Sequence, residues 1–302
     1  MKEKSVYFVG GLPRSGSTLL MNILAQNPKH YCTSTSGIAP LLLNMRHQWK
    51  KVESLRSLPQ NQSEIIQHNV MRSMLYGWFK HTDRPVCFDK FHFWTECLEM
   101  VAALLGAREK VRILITVRDL RDVIASFEKL HRKTTAMSLT HQEESHTAEF
   151  KTAKGRISIF IDDGQPVGRA FNGIRDAVTR GWLKNMHFVD FDQLTRNPQN
   201  TLDNIYRFLG EDAYVHDFTH VEQVTVEDDR VYGFKELHRI ESRVEPIKPQ
   251  WPDIFDRTLF EEAVWKDIEK VAQFWKEYVT SSSPKKKISR ESINPIRRPY
   301  RS

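Results

Sequence analysis

Two short stretches carry side chains whose types and spacing suit the grip of an anion. The first is Pro13-Arg14-Ser15-Gly16-Ser17-Thr18, an arginine, three hydroxyls and a glycine within six residues. A glycine lets the backbone approach an oxyanion, hydroxyls and free N–H groups donate to it, and the guanidinium neutralises it. Gly11 and Gly16 have the separation of the glycines in a nucleotide-hydrolysing loop, but Ser17 stands where that loop carries its lysine. The anion site is kept while triphosphate chemistry is weakened. The second stretch is Arg118-Asp119-Leu120-Arg121-Asp122-Val123-Ile124-Ala125-Ser126. A guanidinium fork with a hydroxyl two helical turns beyond Asp119 suits a second, separate phosphate. Arg118 and Arg121 could equally pair with Asp119 and Asp122 on the surface, and spacing leaves both readings open.

Each stretch needs a strand to deliver it and a helix to follow. Ser5 to Gly10 is an apolar run short enough for a buried strand, and Leu19, Leu20, Ile23 and Leu24 have the spacing of a helix's inner face. The first N–H groups of that helix are unpaired donors at its positive end. Val111 to Val117 is the strongest strand pattern, and Val123, Ile124, Phe127 and Leu130 mark the helix after it. Lys29–Ser36, Val86–Phe88 and His187–Phe191 read as further strands. Helices are expected over Ala39–Val52, Ser63–Lys80 with Ser63 as cap, Glu96–Leu105, Val167–Trp182, and from Pro198 to Leu209. Thr258 and Glu261 fit a capping box that opens a last helix with the stripe Phe260, Val264, Ile268, Val271, Trp275 and Tyr278. Strand then helix, repeated, predicts an α/β fold: a three-layer sandwich with a central parallel sheet and a P-loop-type phosphate cradle. Both anion-binding stretches then share the rim at the strands' carboxyl ends.

The chain has 302 residues, and the reading gives one domain over residues 1–280, with Thr134–Gly164 as an insertion forming a rim loop. Residues 281–302 read as a basic, flexible tail. It holds seven bases and one acid, so it carries +6 of the net +7 and leaves the body nearly neutral. A near-neutral body argues against nucleic acid as the main partner. Cys32, Cys87 and Cys97 show neither a disulfide framework nor metal-ligand spacing, which suits a reducing compartment. With no secretory leader pattern and no run long enough to span a bilayer, a cytoplasmic protein is expected.

PRSGSTLL after a strand, RDLRDVIASF after a later one and HFVDFDQLTRNPQNTLDNIYRFLG further on resemble the PAPS-dependent sulfotransferases. The nearest variety is the bacterial and tyrosylprotein-type branch, which has PRSG[ST]T where the cytosolic branch has a lysine. The resemblance covers about residues 5 to 275 in motif order. It implies a P-loop sulfotransferase that moves the sulfuryl group of 3′-phosphoadenosine 5′-phosphosulfate (PAPS) to an acceptor hydroxyl or amine and releases PAP, with no metal. Arg14, Ser15, Gly16, Ser17 and Thr18 then bind the 5′-phosphosulfate, and Arg118 with Ser126 binds the 3′-phosphate. Arg14 and Lys90 neutralise the leaving phosphate, Lys90 matching a lysine that the family places near the bridging oxygen. As a lone lysine it could equally be a surface charge.

Phe191-Asp192 stands where the family has tyrosine-glutamate beside the adenine. Phe191 therefore offers stacking without a phenol hydrogen bond, or is a core aromatic. Cytosolic members have a catalytic histidine two residues after the lysine, which maps onto His92; the alternatives are a structural histidine or another base such as Asp89. The glutamate of tyrosylprotein members does not carry over, because Thr33-Ser34-Thr35-Ser36-Gly37 holds no acid. A nucleotide-covering loop is expected between Asp229 and Trp251, with Ser242 or Arg243 as contacts and no firm match. Trp49, Trp78, Phe91, Phe93 and Trp94 are candidates for an acceptor pocket. The acceptor, whether a small molecule, a carbohydrate or a peptide, is not legible. The competing enzyme class is an ATP-dependent small-molecule kinase, disfavoured by the missing lysine; a nucleic-acid binder working through the tail is the reading outside enzymes.

Overall fold

The computed structural model describes residues 4–134, 149–260 and 262–279. One all-parallel sheet holds five strands in the order β2-β3-β1-β4-β5. They are β1 (Ser5–Gly11), β2 (His30–Thr35), β3 (Val86–Lys90), β4 (Ile113–Val117) and β5 (Met186–Asp190). Every residue of β3 and β4 is buried, as a parallel sheet covered on both faces requires. The pleat of β1 splits the interior in two: Phe8 points into one apolar cluster and its neighbour Val9 into the other.

The second cluster is closed by α1 (Ser17–Leu24). The first is closed by α2 (Ile38–Trp49), α3 (Gln60–Trp78), α4 (Leu98–Leu105) and α5 (Leu120–Thr134). It also takes in α6 (Ala153–Ile161) and α7 (Pro166–Thr179). After β5 come α8 (Phe191–Arg196) and α9 (Pro198–Leu209), and α9 returns to the second cluster through Leu202, Ile205 and Tyr206. The last helix, α10 (Glu262–Val279), lays Ile268, Val271 and Trp275 on the first. The result is the three-layer arrangement expected of a strand–helix alternation.

Several local expectations are corrected. The helix expected from Ser63 begins three residues earlier, at Gln60. Ser63 is no cap: its hydroxyl accepts from Trp49 Nε1 at 3.0 Å and donates to the Leu55 carbonyl at 3.2 Å. The excursion expected over Thr134–Gly164 gives way, over Ala153–Ile161, to a helix. Its Arg156 is fastened to the buried Glu128 of α5 at 2.7 and 2.8 Å. The last helix begins at Glu262, after Phe260; Glu261 of the expected capping box, residues 135–148 and the basic tail over 281–302 lie outside the described residues. No described helix is long and apolar enough to cross a membrane.

Between α9 and α10 the described residues hold no strand, and over residues 211–250 only one short 3₁₀ turn, Asp229–Tyr232. Two backbone bonds close its stem, Val221 N–H to the Ser242 carbonyl at 2.6 Å and Val244 N–H to the Phe218 carbonyl at 2.9 Å. Asn22 of α1 pins the near arm, its Oδ1 accepting from the N–H groups of Val224 and Thr225 at 2.7 and 3.0 Å.

Candidate active site

Register places the site. Val9 lies opposite Lys90, and Gly11 opposite Thr116, so the loop after β1 emerges between the ends of β3 and β4. That loop turns by left-handed backbone at Gly11, Arg14 and Gly16 (φ 119°, 58° and 86°). For Arg14, a side-chain-bearing residue, this conformation is strained, and such strain concentrates at functional turns. The Ser15 hydroxyl reaches the Leu12 carbonyl and lies 2.8 Å from Thr116 Oγ1, which ties the loop to β4. Gly16 caps α1 without any side-chain acceptor, leaving the first N–H groups without a side-chain partner.

Arg14 and Arg118 face this cradle together. Arg14 Nε donates to Ser126 Oγ at 3.1 Å, and its Nη1 donates to the Leu237 carbonyl. Burial and the neighbouring Arg118 charge pull its pKa down to about 10. Arg118 is 8% exposed, lies over the Phe191 ring at 4.4 Å, and keeps a buried Nε with no hydrogen-bond partner. It does not pair with the aspartates next to it. Asp119 is taken by Arg121 at 2.8 Å, and Asp122 accepts from the N–H groups of Gln250 and Trp251 at 2.7 and 3.1 Å. Phe191 opens α8 one residue past the end of β5, and its ring presses on the cradle so closely that a Cβ on Gly16 would run into it.

Lys90 is 1% exposed, so it is no surface charge. Its Nζ lies 3.3 Å from Thr18 Oγ1 and 3.5 Å from Glu227 Oε1, and burial lowers its pKa against the pull of that carboxylate. His92 lines the same cavity, but its Nδ1 is buried with no partner, and burial beside Lys90 pushes its pKa down to about 3. Asp89 is fully buried in β3, holding Trp94 Nε1 at 3.0 Å, with its pKa raised by burial to about 7. Of the aromatics expected around an acceptor, Phe91 and Phe93 line the cavity. Trp94 is core, Trp49 is spent on Ser63, and Trp78 packs beside Gly37.

The roof of the cavity, about 1080 Å³ in volume, comes from the irregular segment 211–250. The sequence predicts a loop there, with Ser242 or Arg243 as contacts. In the fold, Ser242 supplies a carbonyl to the stem, while Arg243 lies on the cavity wall with Nε 2.8 Å from Glu245. The side chains of this segment that approach Lys90 are Glu227, Asp229 and His238, none of them among the sequence candidates. Glu227 Oε1 accepts from the Thr35 N–H and hydroxyl, both at 3.1 Å. An acid thus reaches the end of β2, whose own residues lack one. Burial would raise the Glu227 pKa, but Lys90 and His238, with the Thr35 bonds, bring it below the usual carboxylate value. No periodicity marks these residues, so only the folded chain reveals them.

The model of the sulfotransferase family matches residues 7–216. Protein-tyrosine sulfotransferase A of Caenorhabditis elegans is 26% identical over 216 residues, covering 69% of this chain and 51% of that protein. A protein-tyrosine sulfotransferase of Drosophila melanogaster is 36% identical over 222 residues, covering 71% of this chain and 40% of that protein. The chain therefore spans about half the length of the curated relatives it matches, or less. The solved structure of mouse sulfotransferase SULT7A1 complexed with PAP is 14% identical with a TM-score of 0.49, covering 93% of this chain and 86% of that one.

Proposed function

The chain belongs to the sulfotransferase family, and we propose that it transfers a sulfuryl group from PAPS to a hydroxyl or amine acceptor, releasing PAP. The observation that carries this reading is the pair of guanidinium groups on one rim, half-buried Arg14 and buried Arg118, with no salt bridge to a carboxylate among the described residues. A buried cation without a paired anion is costly, so such a pair fits a ligand with two separated phosphates. The residues present suit PAPS: the orphaned Nε of Arg118 and the Ser126 hydroxyl for the 3′-phosphate, and Arg14 with Ser15, Gly16, Ser17 and Thr18 for the 5′-phosphosulfate. Phe191 presents a ring for stacking, already engaged by Arg118.

When bound, the nucleotide supplies an activated sulfuryl group and a phosphate leaving group. The chain's part is to neutralise charge on that phosphate. In this reading Arg14, the N–H groups at the start of α1 and the Lys90 ammonium do so. For the proton of the acceptor hydroxyl, the resemblance implies His92. ATP-dependent phosphoryl transfer is not favoured, since Ser17 occupies the place of the lysine that such a loop uses. The three buried, unpaired cysteines support a reducing, cytoplasmic setting.

The experiment is transfer from radiolabelled PAPS in the presence of EDTA to phenolic, carbohydrate, lipid and tyrosine-peptide acceptors. Label moving to one class with release of PAP is the expected result. Transfer from labelled ATP that EDTA abolishes would overturn the reading.

A further inference from the structure

The His92 ring has no carboxylate bonded to it among the described residues, and burial, Lys90 and His238 outweigh the weaker pull of Glu227 and oppose its charging. A second imidazole faces the same cavity under better conditions. Asp229 clamps His238 at two points: Oδ2 accepts the backbone N–H at 3.1 Å, and Oδ1 lies 2.6 Å from ring Nδ1. An ionised carboxylate only accepts, so Nδ1 carries the hydrogen and Nε2 the lone pair. Nε2 faces Thr35 Oγ1 at 3.5 Å, a long contact, and that hydroxyl has Glu227 Oε1 at 3.1 Å as its own partner. The lone pair stays available to a stronger donor in the cavity, which His238 lines.

Resting on the sulfuryl-transfer reading, the geometry assigns His238 as the catalytic base and Asp229 as the residue that positions it, in the part that the resemblance gives to His92. The acceptor's O–H bond breaks to His238 Nε2 as its oxygen forms the new bond to sulfur. The bond from sulfur to the bridging oxygen breaks in the same step, and its electron pair stays on the 5′-phosphate beside Lys90 and Arg14. The imidazolium is offset by Asp229 and by Glu227, whose Oε1 is 3.4 Å from Nδ1, and it returns its proton to solvent.

The groups that face His238 are Lys90 from β3, His92, Tyr232 at a ring distance of 5.4 Å, and the carboxylates Glu227 and Asp229. Burial and Lys90 hold the imidazole below its ordinary pKa, so it is neutral near pH 7. The two carboxylates work the other way and stabilise it once charged.

The test uses the full chain with PAP bound and reads the ring nitrogens of labelled histidine by NMR, assigned with His238→Gln and His92→Gln. A neutral His238 with hydrogen on Nδ1 is expected, and Asp229→Asn should lose that fixed tautomer. Hydrogen on Nε2, or a permanent imidazolium, overturns the assignment. In turnover of PAPS, His238→Gln should fall by about 100-fold or more with PAP affinity held within about twofold, and His92→Gln should fall less. Asp229→Asn should also move the acid limb of the pH profile to lower pH, which a merely structural residue would not do. Normal turnover in His238→Gln overturns the base alone, whereas a wild-type chain that fails to bind PAP overturns the sulfotransferase reading beneath it.

Discussion

The loop from Leu12 to Gly16 is fastened to its own sheet, whereas the segment over residues 211–250, closed at its stem by its own backbone, is seated by contacts to other elements. The Leu12 N–H bonds the Thr116 carbonyl at 2.9 Å, and Ser15 is fastened to the same threonine. The later segment depends on Asn22, Thr35, Lys90 and Arg14, from four separate places in the chain. One half of the cavity is thus a loop preformed on its sheet. The other is a roof of carboxylates and an imidazole, closed by its own stem and by the Asp229–His238 pair and seated by contacts to distant elements. In the proposed reading, nucleotide affinity belongs to the first half and proton transfer to the second, so each can be changed without the other.

The largest expected effect breaks the cradle alone. Arg118→Ala should weaken PAP binding about 100-fold by calorimetry, because a charge-assisted contact to phosphate is lost from a buried site. An affinity unchanged in that variant would separate Arg118 from the nucleotide.

Gly16→Ala comes next and sharpens the contrast through packing. The new Cβ meets the Phe191 ring at a left-handed position, so the fold should lose about 2 kcal/mol in denaturant titrations. Phe191→Ala in the same chain should return only part of this, since the backbone strain remains.

Asp89, fully buried in β3 next to Lys90, gives a pH-dependent effect. Its folded pKa, raised by burial to about 7 from 3.8, means that the unfolded chain gives up the proton first. Its contribution is complete below the unfolded value and is lost as pH rises towards 7, at up to about 1.4 kcal/mol per pH unit. Asp89→Asn should flatten the stability curve over that window, measured as the difference from wild type. Ser126→Ala is the smallest change, about fivefold in PAP affinity, because one neutral hydroxyl is lost.

The same contrast decides what the sequence reveals. Gly11, Arg14, Gly16 and the helix after them are neighbours along the chain, so their spacing already implies their geometry. Arg118 is a nearer case: its motif is local, but whether it paired with Asp119 or faced the cradle depended on Phe191, some seventy positions away in sequence. Nothing local links Glu227, Asp229 and His238 to Lys90 and Thr35, and their segment has no period to read. The helix over Ala153–Ile161 was hidden for a related reason. Its key residue is a buried Arg156, whose charge reads as surface until Glu128 appears beside it.

The most direct measurement of the central claim is calorimetric titration of the full chain with PAP in EDTA, run beside ATP. The account predicts one PAP per chain with a Kd on the order of micromolar and much weaker ATP, which lacks the 3′-phosphate for Arg118 and Ser126. PAP that gives no binding, or ATP that binds as tightly, would contradict it.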